Sequence, residues 1–315
     1  MKLVLSLAKL KSILNNLRSC SCLSLQILHI KNNNTDGTIY NSRELEIKPE
    51  GSLKDLLNEI VDRYTNDKNG KLCDFSDVTQ YDGSTNEKVI YKLSVQDDLI
   101  KEDYLKFTSS LSNPDCECNA TDFNKKAQAY VIKGVITDDG ENKDVKLVVL
   151  RNPITVLKHK FYWSNGKFEK MDNKVISLTT GIDVLVFDNN VYMMTGAAEK
   201  LFNIERRYKL YCAIKLEQIK QSDMIYDFNG FEKTAESGHN PRRFLAFRDN
   251  SFDKLKDLDF RRNIAKRFGI PLCGDKFDTS EVKNAEKLIK LLCKKGMIDP
   301  FDESPMEVDG SKTWK

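Results

Sequence analysis

The period of apolar positions changes once and cleanly between Val175 and Leu210. Ile182, Val184, Val186 and Phe187 form a β-rich run, Asp188, Asn189 and Asn190 supply turn residues that tolerate left-handed backbone, and Val191, Tyr192, Met193 and Met194 return. This spacing predicts a hairpin. Thr195 stands where it can cap a following helix, in which Leu201, Phe202 and Ile204 recur at roughly helical spacing before the run ends in Glu205, Arg206, Arg207, Tyr208 and Lys209. Residues 209–219 fit helix or strand equally well.

Elsewhere the same two periods alternate. Leu3, Leu7, Leu10, Leu14 and Leu17 fall on one helical face, with Lys9, Lys11 and Arg18 off it, which predicts an amphipathic helix docked on the protein's own core, the alternative being a partner or membrane surface. Leu23, Leu25, Ile27 and Leu28 read as a strand, and a polar turn over 32–37 leads to Thr38, Ile39 and Tyr40. Ser52 is placed to cap a helix faced by Leu53, Leu56, Leu57, Ile60 and Val61, and Val89, Tyr91, Leu93 and Val95 alternate as a strand. In the middle third, strands around Ala129–Ile136 and Val145–Leu150 flank an Asp138, Asp139, Gly140 turn, and Phe161–Phe168 forms a further hairpin, so an antiparallel sheet is expected. From Pro241 two short helices broken at Asp249 and Asn250 are expected, then a helix over 280–295 and an edge strand within 299–314.

The chain therefore reads as α+β: an N-terminal α/β subdomain over 1–120, a central β-rich subdomain over 121–240 that carries the hairpin and helix, and a basic helical C-terminal subdomain over 241–315. An apolar fraction of 40% and a mean hydropathy of -0.50 describe a folded, soluble chain. No run of apolar residues is long enough to span a membrane, and Lys9 and Lys11 break the N-terminal run too early for a secretory signal. Eight cysteines in 315 residues are too sparse for a disulfide framework and read as reduced, the alternative being a zinc site joining Cys20 and Cys22 to Cys116 and Cys118.

No phosphate-binding glycine loop, dinucleotide fingerprint, zinc-protease helix or nucleophile elbow is present, so neither a cofactor nor a resident metal is expected. The three histidines, His29, His159 and His239, have no motif partner. Asp183, Asp188 and Glu199 lie near one another in sequence and keep a metal-dependent nuclease open as an alternative, but the lysine such sites carry on a paired strand is missing.

Net charge is only +3, yet residues 239–270 hold nine Lys or Arg against four Asp, a local surplus of five. Arg206, Arg207 and Lys209 end one helix; Arg242, Arg243, Arg248, Arg261, Arg262, Lys266 and Arg267 cluster with Phe244, Phe247, Phe260 and Phe268 between them. Arginine forks match phosphate oxygens, and phosphate contacts give affinity without reading bases. The competing reading makes the phenylalanines buried faces and the arginines solvated ones.

The strand with internal Asp183, the turn at Asp188, the returning strand with Tyr192 and the helix with Leu201, Phe202 and Glu205 resemble the KwaB family, the soluble subunits of the two-component bacterial antiphage system Kiwa. A second stretch is similar near the C-terminus, where Ala285, Leu288, Ile289, Leu291 and Leu292 precede Gly296, Met297, Ile298 and Asp299, then Met306 and Val308; together the two cover residues 120–314. The resemblance implies a non-enzymatic defence protein that works with a membrane-embedded partner, KwaA, and binds DNA in the cytoplasm without cutting it. On this reading the protein self-assembles, sits peripheral to the inner membrane through its partner, and holds phage DNA so that replication and transcription stall. Reversing the charge of Arg261 and Arg262 is expected to weaken DNA binding and leave the fold intact.

Overall fold

The computed structural model describes residues 7–33, 37–48, 51–66, 68–84, 86–114, 127–156, 161–164, 166–170, 174–293, 296–298 and 305–307. Leu3, Cys116, Cys118, His159, Asn165 and nearly all of the expected terminal edge strand lie outside these residues. The chain is α+β and forms two compact units, one of Met1–Gln80 with Glu87–Asn203 and one of Tyr81–Asn86 with Ile204–Lys315.

In chain order the first unit contains α1 (Leu7–Asn16), β1 (Ser21–Asn33), β2 (Gly37–Leu45), α2 (Ser52–Thr65), β3 (Asp77–Gln80), β4 (Val89–Ser94), α3 (Lys101–Ser112), β5 (Ala129–Asp138) and β6 (Glu141–Val149). Four short strands follow, β7 (Ile154–Val156), β8 (Phe161–Ser164), β9 (Lys167–Lys170) and β10 (Lys174–Ile176), with β8 paired to β9 and β7 to β10. Then come β11 (Val184–Phe187), β12 (Asn190–Met193) and α4 (Ala198–Leu201). One eight-stranded sheet runs β2-β1-β5-β6-β11-β12-β4-β3, so strands from the first 120 residues supply both edges and later strands fill the middle. Its described pairings are antiparallel except β3 with β4.

Two hairpin turns fix the register of the central strands. Asp139 (φ 52°) and Gly140 (φ 81°) join β5 to β6, and Asp188 (φ 47°) and Asn189 (φ 57°) join β11 to β12. Two consecutive left-handed residues give the two-residue turn whose twist matches that of paired strands. One sheet face then presents Leu25, Ile27, Tyr130, Ile132, Leu147, Leu185, Phe187 and Tyr192 to Leu10, Ile13, Leu14 and Leu17 from the N-terminal helical stretch and to Leu57, Ile60 and Val61 of α2. The expected docking of the N-terminal helix on its own core is thus observed. Lys9 Nζ fastens it by donating to both oxygens of the buried Asp138, at 3.0 Å each.

Helix α3 covers the outer strands and has no basic residue in its last turn. The sheet caps it instead: Ser42 Oγ donates to Ser110 O at 2.6 Å, and Gln26 Nε2 and Lys133 Nζ donate to Leu111 O at 3.1 and 3.0 Å. These side chains satisfy carbonyls that a helix end otherwise leaves open. Phe107 packs edge-on against Tyr40 and Phe202, each 5.8 Å away between ring centroids.

The second unit holds α5 (Ile204–Gln221), α6 (Phe228–Ala235), α7 (Asn240–Arg243), α8 (Asp249–Lys254), α9 (Leu258–Phe268), β13 (Leu272–Cys273), β14 (Lys276–Phe277), α10 (Val282–Leu292), β15 (Gly296–Ile298) and β16 (Pro305–Glu307). Asp227 and Asp257 cap α6 and α9, accepting from Gly230 N at 3.1 Å and Phe260 N at 2.7 Å, and left-handed Gly269 stops α9. Gly83, at φ 83°, allows the 81–86 loop to lie against α7, for a Cβ there would stand 2.6 Å from Arg242 O. The core gathers Cys212, Leu216, Ile219, Phe231, Phe244, Phe247, Phe252, Leu288 and Ile289.

Three local expectations change. Ser52 is the first residue of α2 and left-handed Gly51 precedes it without a side-chain cap. The helix after the β11–β12 hairpin is interrupted at Asn203 (φ 46°) and then runs through Lys209 to Gln221. Asp249 and Asn250 open α8 rather than break a helix, and the breaks fall at Phe247–Arg248 and Leu255–Asp257.

Candidate nucleic-acid interface

All ten basic residues singled out in the sequence fall in the second unit, but they do three different things. Several are tied down. Arg206 and Arg207 are half-buried near the start of α5, and Lys209 Nζ donates to Glu205 Oε1 at 2.6 Å, a pairing that raises the lysine's pKa. The Arg242 guanidinium lies 5.7 Å from the Tyr208 ring centre, and Arg243 Nη1 donates to Asn240 Oδ1 at 2.6 Å.

Arg261 works for the fold. Its Nε donates to Leu255 O at 2.8 Å, Nη1 to Asp275 O at 2.6 Å and Nη2 to Lys256 O at 3.4 Å. One planar fork thus closes the C-terminal end of α8 and holds the β13–β14 turn, where a cation also meets the negative end of the helix. The expectation that Arg261 can be reversed without disturbing the fold is therefore corrected. Arg262 Nη2 reaches Asp275 Oδ1 at 2.8 Å, with both side chains about half exposed.

The remaining residues face solvent. Arg248 is exposed and donates to the carbonyl of Phe247 at 3.3 Å. Lys266 and Arg267 are exposed and have no ion-pair partner among the described residues. On α9 the exposed positions are Asp259, Phe260, Arg262, Asn263, Lys266 and Arg267; Arg262 and Lys266 stand one turn apart, and Asn263 and Arg267 form the neighbouring row. This is one continuous face, turned away from buried Ala265. Phe244 and Phe247 are core residues stacked at 6.2 Å and 12°, and Phe268 packs partly against that core. Among the four phenylalanines only Phe260, 38% exposed, keeps ring surface on the basic face.

The carboxylates that kept a nuclease open do not meet. Asp183 Oδ2 accepts from Leu150 N at 2.8 Å and its Oδ1 from Thr195 Oγ1 at 2.6 Å, while Asp188 lies 3.8 Å from Lys143. Among the described residues, no three His, Cys, Asp or Glu side chains are grouped to hold a metal ion, and none of the six described cysteines is in a disulfide. No described helix is long and apolar enough to cross a membrane.

The fold and this face define an α+β protein with a largely antiparallel sheet in one unit and a helical unit bearing a basic helix. The family described as Kiwa protein KwaB-like matches residues 125–297, more than half of the chain, and no curated protein or solved structure gives a match. The chain belongs to the KwaB-like family, which places it among components of the Kiwa antiphage defence system.

Proposed function

We propose that this KwaB-like protein binds DNA without sequence specificity through the exposed face of α9, and that it acts as a non-enzymatic effector. The observation that carries the reading is the row of Arg262, Lys266 and Arg267 on one capped helix, two of them without an ion-pair partner among the described residues. Such a face neutralises phosphates and reads no bases. Arg248 adds a further exposed guanidinium; Lys209, Arg242 and Arg243 contribute field more than direct contact, because neighbours in their own unit already hold them, and Arg206 and Arg207 do the same because they are half-buried. In the defence setting that the family supplies, the protein self-assembles, meets a KwaA-like membrane protein on the cytoplasmic side, and holds phage DNA so that replication and transcription stall.

The test is the triple variant Arg262→Glu, Lys266→Glu, Arg267→Glu, measured against wild type by DNA binding at several salt concentrations. Loss of three phosphate contacts lowers the slope of log affinity against log salt by about 3. An unchanged slope and affinity moves the site off α9. Cleaved DNA in the presence of Mg²⁺ overturns the non-enzymatic reading.

A further inference from the structure

Phosphate binding needs no aromatic ring, yet α9 sets one on its basic face. At 100° per residue the exposed positions of this helix fall into two rows. Arg262 and Lys266 follow Asp259 in one row, and Asn263 and Arg267 follow Phe260 in the other, about a quarter turn away. Ile264, Ala265 and Phe268 take the inward side, whereas Phe260 keeps 38% of its surface exposed. The backbone beneath that ring is held on both sides. Asp257 Oδ1 accepts from Phe260 N at 2.7 Å, and the next residue, Arg261, donates to Leu255 O at 2.8 Å and Asp275 O at 2.6 Å. A phenyl group on a fixed backbone turns about only two side-chain torsions, so little freedom is lost when a flat partner covers it. Asp259, 3.9 Å from Arg262 Nη1, and Asp275, 2.8 Å from its Nη2, are the carboxylates paired on this face, and neither is an ion-pair partner of Lys266 or Arg267.

The partner that suits such a face is flat, apolar on its faces and tethered to an anion. A nucleic-acid base on its phosphate backbone has this chemistry. In a duplex the faces of each base are covered by the bases above and below, and only edges are open in the grooves, whereas an unpaired base offers its face. A phenyl ring carries no hydrogen-bonding group and accepts every base, which agrees with binding that reads no sequence. We propose that α9 takes single-stranded DNA through two kinds of contact: Arg262, Lys266 and Arg267 on phosphates, and an unpaired base stacked on Phe260. This rests on the DNA-binding reading of α9 above and adds to it a base contact that duplex DNA does not make. Replication and transcription both open the duplex, so the strands they expose are the form to which Phe260 adds affinity.

The test is fluorescence anisotropy of the full chain with a mixed-sequence single strand, and with a strand of equal length whose central sugars carry no bases. Both strands present the same phosphates. Wild type binds the intact strand about tenfold more tightly than the abasic one. Phe260→Leu, which keeps apolar bulk and lacks a flat face, brings that ratio close to one and leaves the salt slope unchanged, because no phosphate contact is lost. Phe260→Trp restores the ratio, and its added indole fluorescence, measured against wild type, is quenched by the intact strand and not by the abasic one. Equal, salt-dependent affinity of wild type for both strands overturns the stacking contact and leaves the phosphate contacts standing. A preference for the intact strand that persists in Phe260→Leu removes Phe260 as the base contact. Failure of wild type to bind either strand overturns the DNA reading itself and this inference with it.

Discussion

Replacing Arg261 with alanine removes a guanidinium that donates to three backbone carbonyls, two of them at 2.8 and 2.6 Å and one at a weak 3.4 Å. A hydrogen bond from a charged donor is worth about 1.5–3 kcal/mol when its loss leaves the partner short of a donor. The side chain is half-exposed, so water takes up part of the deficit, and the two short bonds together represent about 2–3 kcal/mol. For the full chain that is a fall of about 3–5 °C in the thermal midpoint. Arg261→Lys keeps the charge but reaches at most one or two of the carbonyls and recovers only part of the loss. Lys266→Ala and Arg267→Ala, on solvated side chains of the same helix, stay within about 0.5 kcal/mol of wild type. The assay is urea and thermal unfolding of all four variants beside their DNA affinity. If Arg261→Ala unfolds like wild type while its DNA affinity collapses, Arg261 is a phosphate ligand and its assignment to the fold is wrong.

Three further perturbations probe other parts of the molecule. Lys146 stands directly across from Lys133 on neighbouring strands, and burial pushes its ammonium pKa below the ordinary lysine value; below its folded pKa the fold bears the cost of a buried charge, and that cost fades as pH rises through it. Lys146→Met accordingly raises the unfolding midpoint at neutral pH, and the gain shrinks in alkaline buffer. Gly83→Ala places a Cβ 2.6 Å from Arg242 O in a left-handed conformation, so it costs more than about 1–2 kcal/mol in a denaturation curve; a neutral result denies that contact. Asp183→Ala strips Leu150 N and the Thr195 hydroxyl of their acceptor and lowers stability by about 1–3 kcal/mol. Should the wild type cut DNA with Mg²⁺ and this variant fold normally without cutting, Asp183 is a catalytic ligand.

What could be read from the sequence was what is decided locally. The Asp139–Gly140 and Asp188–Asn189 turns need only residues that accept left-handed backbone, and the N-terminal leucines need only a periodicity of 3.6. Strand order was hidden because pairing β4 to β12 is a long-range choice that no residue near Val89 announces. Helix α3 escaped notice for a related reason: its last turn is rich in serine, and the donors that stabilise it, Ser42, Gln26 and Lys133, come from three distant strands. The basic cluster was legible as charge, not as role. Arg261 and Lys266 look alike in the sequence, and only the positions of the carbonyls of Leu255, Lys256 and Asp275 separate a structural fork from a free ammonium. Burial likewise assigned Phe244 and Phe247 to the core and left Phe260 at the surface.

The most direct test of DNA binding is titration of the purified wild-type chain with a random-sequence duplex across a salt series, Mg²⁺ present, with the DNA run on a gel afterwards. Intact DNA, bound with an affinity that falls steeply as salt rises and does not change when the duplex sequence is changed, is the predicted result. No binding even at low salt contradicts it and leaves the α9 cations as an ordinary solvated face.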